Sequence, residues 1–466
     1  MRNLKITIVA IMIIVFAAPL LMANDKRDIW SPSTYIQSAK IHYQHVYKKT
    51  KKRDDLYHCI DLLKEGADRF GRIPEFYYML GTFYAEINAL DTVVMYFDSV
   101  QVMCDDETID KKYRKNCYKK DKYIKKMANL RQSEWEKAYN YAIENMKTYD
   151  QIDEMIAALP PDNTDSIAAL QVLSKEAFDE AFGDFTNADL AKPKDSITLE
   201  GIAILLQRED RHEDAIGYYK QVLELKGGEE KADTSLISKI AYAYIYIPDW
   251  KKSIEWFLKV EKNNPNDINA LVNISISYNS IGERDKWFEY TAKVLDLQPD
   301  NEQFLFNAGQ YWFVKMQDAA SRMPADTGDD AAGKQKRKEI EALAKEYMEK
   351  AADYFNKVIA VNPNDTDALR QLGILNLLGQ NPQGAIDALT KYIEVNPNDN
   401  DILEFLGRAY ILNGDSKGAI KPYEMITEND PGNMAAWERL GELYEYNKMP
   451  EKSKAANAKA EELKKL

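Results

Sequence analysis

The sequence predicts an all-α protein, a solenoid of antiparallel helix pairs stacked on a 34-residue period. Three observations lead there. The phrase Asn-Pro-Asn-Asp recurs at 264–267, 362–365 and 396–399. Prolines stand at Pro265, Pro299, Pro363, Pro397 and Pro431, at intervals of 34, 64, 34 and 34; the long interval is one repeat with 30 residues inserted. Gly (20) and Pro (16) are scarce among 466 residues, and long polar side chains abound, which is the composition helices need. A single helix pair cannot bury its apolar face alone, so a fixed period of this length implies stacking of neighbours.

Taken in chain order, the amino-terminal residues read as an export signal. Arg2 and Lys5 precede an apolar run, Ile6 to Met22, and Leu21-Met22-Ala23 offers a cleavage site after Pro19 interrupts the run. An uncleaved anchor is the alternative, since the run is just long enough to span a bilayer. The signal, 1–23, makes the expected location exported, periplasmic or secreted, in a bacterial envelope.

Residues 24–131 read as amino-terminal repeat-like pairs with a basic insertion. Over 33–73 one pair is expected, with Lys48-Lys49-Thr50-Lys51-Lys52-Arg53 as its turn and Tyr47 where a small residue should stand. Residues 102–131 read as an irregular basic insertion. Residues 132–195 read as degenerate helical repeats: 132–165 as one unit with Trp135 and Ala142 in register, Pro160-Pro161 as a break, 164–182 as helix and 183–195 as a loop. Residues 196–466 read as a regular array. Its inserted segment, about 317–347, is helical on either side of Asp326-Thr327-Gly328-Asp329-Asp330 and predicts a projecting hairpin.

Within each unit the fourth, seventh, eighth and eleventh positions share one helix face. The eighth is small: Gly81, Ala203, Ala241, Ser275, Gly309, Gly373, Gly407 and Gly441. The twentieth is Ala215, Ala351, Ala385 and Ala419 in four units, but Val93, Ser253, Trp287 and Ser453 in the others. A small eighth residue facing a small twentieth would let the two helices of a pair approach closely, and Trp287 should push them apart. Asp267, Asp365 and Asp399 stand where first helices begin, as caps do, and Gly282, Gly379 and Gly414 where they end.

This 34-residue pattern, with a small eighth residue and a closing proline, resembles the tetratricopeptide repeat over about two thirds of the chain. The resemblance implies a right-handed solenoid whose first helices line a concave groove through positions two, five, nine, twelve and thirteen. The groove would then hold Tyr78, Tyr242, Tyr246, Phe306, Gln310, Phe313, Arg370, Arg408, Glu442 and Tyr446, apolar in the middle and acidic toward the carboxy terminus. The partner implied is a protein or peptide. One subfamily clamps chaperone tails with Lys at the fifth position and Asn at the ninth. Here those positions read Glu200 and Ile204, Ser238 and Tyr242, Val272 and Ile276, so that clamp is missing.

Signatures of catalysis are lacking: no phosphate loop, dinucleotide turn or serine elbow is present. The expectation is a binding protein rather than an enzyme, with no cofactor and no metal. His42, His45, His58 and His212 are the only histidines and complete no metal-ligand pattern. The net charge of −13 excludes nucleic acid as a natural partner. That charge is uneven: residues 24–131 carry 21 basic and 16 acidic residues, residues 132–466 carry 39 and 59. Lys111 to Lys126 holds nine basic residues and one acidic. It reads either as a contact for an anionic membrane or wall polymer, or as a solvated helix face. Cys104 and Cys117 could pair and close a loop, or remain buried thiols; Cys59 reads as core. Two functions stay open: an exported scaffold gripping a partner in the groove, or a subunit of an envelope secretion or wall-assembly complex using the basic segment and the hairpin. Oligomeric state is left open.

Overall fold

The computed structural model describes residues 30–119, 122–231, 233–323 and 331–465. The 1–23 export signal, residues 326–330 of the hairpin turn, and Lys120 and Asp121 of the basic segment lie outside the described residues. Every regular element among them is helical. The chain divides into two units, Met1–Ala232 and Asp233–Leu466.

The first unit opens with α1 (Pro32–His42), which continues through a π-helical stretch, Tyr43–Tyr47, and a last turn, Lys48–Thr50. Lys51, in the left-handed region at φ 53°, reverses the chain into α2 (Arg53–Phe70). Then come α3 (Pro74–Ala85) and α4 (Leu90–Asp105), a short α5 (Lys111–Arg114), and two long helices, α6 (Tyr123–Ala157) and α7 (Thr164–Ala191). The pair α8 (Ser196–Arg208) and α9 (His212–Leu225) closes the unit.

Here the structure departs from the sequence reading. Residues 132–165 are not a degenerate pair. Their apolar residues belong to one 35-residue helix whose partner is the 28-residue α7. Helix also continues through 183–191, where a loop was expected. The reason is packing: Phe185, Ala188 and Ala191 are buried, and the ring of Phe185 fills the space beside Gly201 of α8.

The second unit is a run of pairs: α10 (Thr234–Tyr246) with α11 (Trp250–Asn263), α12 (Ile268–Ser280) with α13 (Arg284–Leu297), and α14 (Glu302–Ser321) with α15 (Ala331–Val361). Then follow α16 (Thr366–Leu378) with α17 (Pro382–Val395), α18 (Asn400–Leu412) with α19 (Ile420–Asn429), and α20 (Met434–Tyr446) with α21 (Pro450–Leu463). Each helix packs on its partner and each second helix on the next first helix, which makes the unit an α-solenoid. Ordinary first helices have 13 residues; α14 has 20, and α15 has 31 against 14 for most second helices.

Starts are set by one device. Asp233, Asp267, Asn301, Asp365, Asp399 and Asn433 each accept a hydrogen bond from the backbone N–H three residues on, at 2.7–3.2 Å. This satisfies one of the donors a helix leaves open. Ends vary. Gly282 and Gly414 take φ of 77° and 78°, but after α16 it is Gln380, at 58°, that turns left-handed, and Gly379 does not.

The close approach of paired helices has a different geometry from the one expected. The side chain beneath the eighth residue is the twenty-fourth, not the twentieth. A Cβ built on Gly309, Gly373 or Gly407 would lie 2.8, 2.1 or 2.5 Å from Phe355, Leu389 or Tyr423. Where the eighth residue is Ser275, the twenty-fourth is Thr291, and their hydroxyls bond at 3.1 Å. The small twentieth residue instead faces the following unit: the Ser277 hydroxyl donates to Ser253 Oγ at 3.5 Å. Trp287 therefore does not wedge its own pair apart. It is half-buried at the edge of a cleft of about 480 Å³ between α13 and α14, edge-on to Tyr311.

Candidate interaction surface

The residues assigned to the groove occupy quite different surroundings. In the first unit Tyr78 is half-buried: its ring stacks on Tyr123 of α6 at 4.4 Å and lies parallel to Phe97 at 6.2 Å. That burial raises its pKa. Its ring is engaged in packing within the first unit.

In the second unit Tyr242 is half-buried, edge-on to Phe257 at 5.1 Å, with its hydroxyl accepting from Asn273 Nδ2 at 3.3 Å. Burial raises its pKa, and the bond from Asn273 opposes the shift. Phe306 is half-buried and edge-on to Phe355 at 5.4 Å; Phe313 packs against the same core, and Gln310 is half-buried beside them. Tyr246, one turn beyond Tyr242, is exposed.

Toward the carboxy terminus the surface is charged. Arg370, Arg408 and Glu442 are exposed. Glu404, Arg408 and Leu412 of α18 face Arg439 of α20 across a cleft of about 530 Å³ floored by Tyr423. Burial raises the Tyr423 pKa and Glu404 adds to it, while Arg439 and Arg408 oppose it, so its hydroxyl sits among three charged groups. Glu442 is held by Arg439 at 2.6 Å. Arg370 lies near Tyr392, whose hydroxyl donates to Asp399 at 2.8 Å.

Models of the tetratricopeptide repeat match the chain at 198–233, at 341–394 and at 379–434. The chain carries tetratricopeptide repeats. Repeats of this family make it a protein-interaction scaffold. No curated protein matches the sequence. Among solved structures it is similar to MamA (22% identity, 42% of this chain and 92% of that one, TM-score 0.31). It is similar also to YrrB, described as a TPR protein with an unusual peptide-binding site (22%, 44% and 91%, 0.33). A third is a tetratricopeptide repeat protein from Parabacteroides merdae (14%, 57% and 93%, 0.33).

Within the tetratricopeptide array the most open apolar residues stand at the thirteenth position. Tyr246, Leu378, Leu412 and Tyr446 are 62%, 60%, 63% and 78% exposed. Leu378 and Leu412 were missed in the sequence. The signal was there, since they share the register of Tyr246 and Tyr446, but leucine at the end of an apolar helix reads as core.

Cys104 and Cys117 are joined, with Cα atoms 5.7 Å apart, and the loop they close carries α5. Cys59 is a buried free thiol. The rings of His42 and His58 lie 4.7 Å apart and His45 is exposed. No group of three or more His, Cys, Asp or Glu among the described residues is placed to hold a metal. No helix among them is long and apolar enough to cross a membrane.

Proposed function

We propose that this protein is an exported scaffold that grips a protein or peptide segment along the first helices of its second unit. Export rests on the Ile6–Met22 run of the sequence. One observation carries the grip: four large apolar side chains recur in one register and stay mostly in solvent while the helices around them bury their other apolar faces. Exposed large apolar residues in a shared register are the anchors that helix and peptide partners use. Beside them Glu404, Arg408 and Arg439 supply charges that can set orientation.

The test is capture of partners from a bacterial envelope extract with the full chain, beside a variant carrying Tyr246→Ser, Leu378→Ser, Leu412→Ser and Tyr446→Ser. A dominant protein held by the parent and lost by the equally folded variant supports the reading. A partner retained by the variant sinks it. A second reading, a subunit of an envelope assembly complex, is favoured by the extra length of α14 and α15. Deleting 317–347 would then abolish complex formation and leave the thirteenth-position variant harmless.

A further inference from the structure

We infer that the disulfide-closed basic segment of the first unit is a docking surface for an anionic lipid bilayer, separate from the first-helix register. The lysine-rich run does not form the solvated helix face that its composition allows. Only Lys111–Arg114 is helical before α6 begins at Tyr123. The bond from Cys104 to Cys117 folds the segment back onto the end of α4. Both cysteines are buried, and Tyr123 and Met127 join the same core, so the apolar side of the segment is pinned inward. The cations are left outside: Lys111, Lys112, Lys115, Lys119, Lys122, Lys125 and Lys126 are all exposed.

Two apolar side chains stand with them. Tyr118 is 61% exposed and Val102 is 60% exposed. The Tyr118 hydroxyl is tethered to α4 by Asp105 and by Gln101. The neighbouring acids are largely engaged: Asp105 by Tyr118, Asp106 by Arg72 at 2.7 Å and by Thr108, and Asp110 by the Lys112 backbone and ammonium. Glu107 is exposed.

A plane of lipid phosphates fits this arrangement. Clustered lysines bind anionic headgroups additively, and a tyrosine prefers the interface between headgroup and acyl chain. The far end of the same helix has the opposite character. Residues 144–184, at the α6–α7 tip, hold ten acidic residues and two lysines. They begin about 30 Å along α6 from its start and reach its tip at about 50 Å. A negative surface would attract one end of this helix and repel the other, so the unit would stand on the membrane rather than lie along it.

The experiment is co-sedimentation of the full chain with neutral phosphatidylcholine vesicles and with vesicles one third phosphatidylglycerol. The neutral vesicles account for any pull of the amino-terminal apolar run. The expected result is at least about tenfold more partitioning onto the anionic vesicles, lost in salt of about 0.5 M. A variant with Lys111→Gln, Lys115→Gln, Lys119→Gln and Lys122→Gln loses that increment. A control with Lys251→Gln, Lys252→Gln, Lys259→Gln and Lys262→Gln keeps it. Equal binding to both vesicles, an increment kept by the loop variant, or binding to soluble polyphosphate without binding to vesicles overturns the proposal. Amine acylation of the unaltered chain gives a reading independent of the variant's folding: anionic vesicles should shield Lys119 and Lys122 and leave Lys251 open, and unshielded loop lysines would overturn it equally.

Discussion

Gly407 and Tyr423 touch so closely that a methyl group on the glycine would lie 2.5 Å from the ring. The ring is 4% exposed and cannot swing away without opening the core. Gly407→Ala should therefore destabilise the second unit by about 1–3 kcal/mol, although alanine is the better helix former. Gly183, inside α7, meets nothing within 4 Å. There the same change should stabilise by up to about 1 kcal/mol. Urea midpoints of the two variants must move in opposite directions; a shared direction would refute the packing account.

Asp399 does two jobs. It caps α18 through the Ile402 amide at 3.1 Å and accepts from the Tyr392 hydroxyl at 2.8 Å. Asp399→Ala should cost about 1–3 kcal/mol, and Asp399→Asn should recover most of it because the amide oxygen still caps. Thermal melts of the two variants give the comparison.

The buried Cys59 thiol is pushed up to about 12, first by burial and then by Asp55, against a bond to backbone that lowers it. An unfolded thiol ionises near 9. The folded state thus holds its proton more tightly, so this contribution is complete below about pH 9 and fades as pH rises toward about 12. Native protein should resist iodoacetamide at pH 9, and urea should release one reactive thiol. Rapid alkylation of the native chain would contradict the burial.

Opening the Cys104–Cys117 bond should weaken the first unit by about 2–3 kcal/mol, because the unfolded chain regains the conformational freedom that the closed loop denies it. Dithiothreitol should then lower the melting temperature of the parent and leave the Cys104→Ser, Cys117→Ser variant unmoved.

What could be read in the sequence followed from periodicity. The regular units carry a proline, a cap and a small residue at fixed offsets, and each mark has a local physical cause. Asp267, Asp365 and Asp399 cap because their neighbours' amides need an acceptor, which is a matter of three residues. The α6–α7 hairpin has no such marks; its length is set by Tyr149 meeting Phe178 and Tyr139 meeting Phe185 across the pair, and those contacts join residues far apart in the chain. The pairing of eighth and twenty-fourth residues was hidden for a related reason. Both positions are visible in the sequence, but which one lies beneath the glycine depends on the crossing of two helices. At the candidate surface, the thirteenth-position register picked out Tyr246 and Tyr446, which are exposed, while Tyr78 gave no sign that a helix from 45 residues downstream would pack on it.

The thirty extra residues of the α14–α15 unit enter between its two helices, and Gly309 still sits over Phe355 as its counterparts do elsewhere. Stacking is thus blind to what happens at that turn. Length added there changes neither the start of the pair, held by Asn301, nor the proline that hands the chain to α16. The junction between paired helices is a permissive port: the fold can accept foreign cargo at this point and keep the spacing of every other repeat.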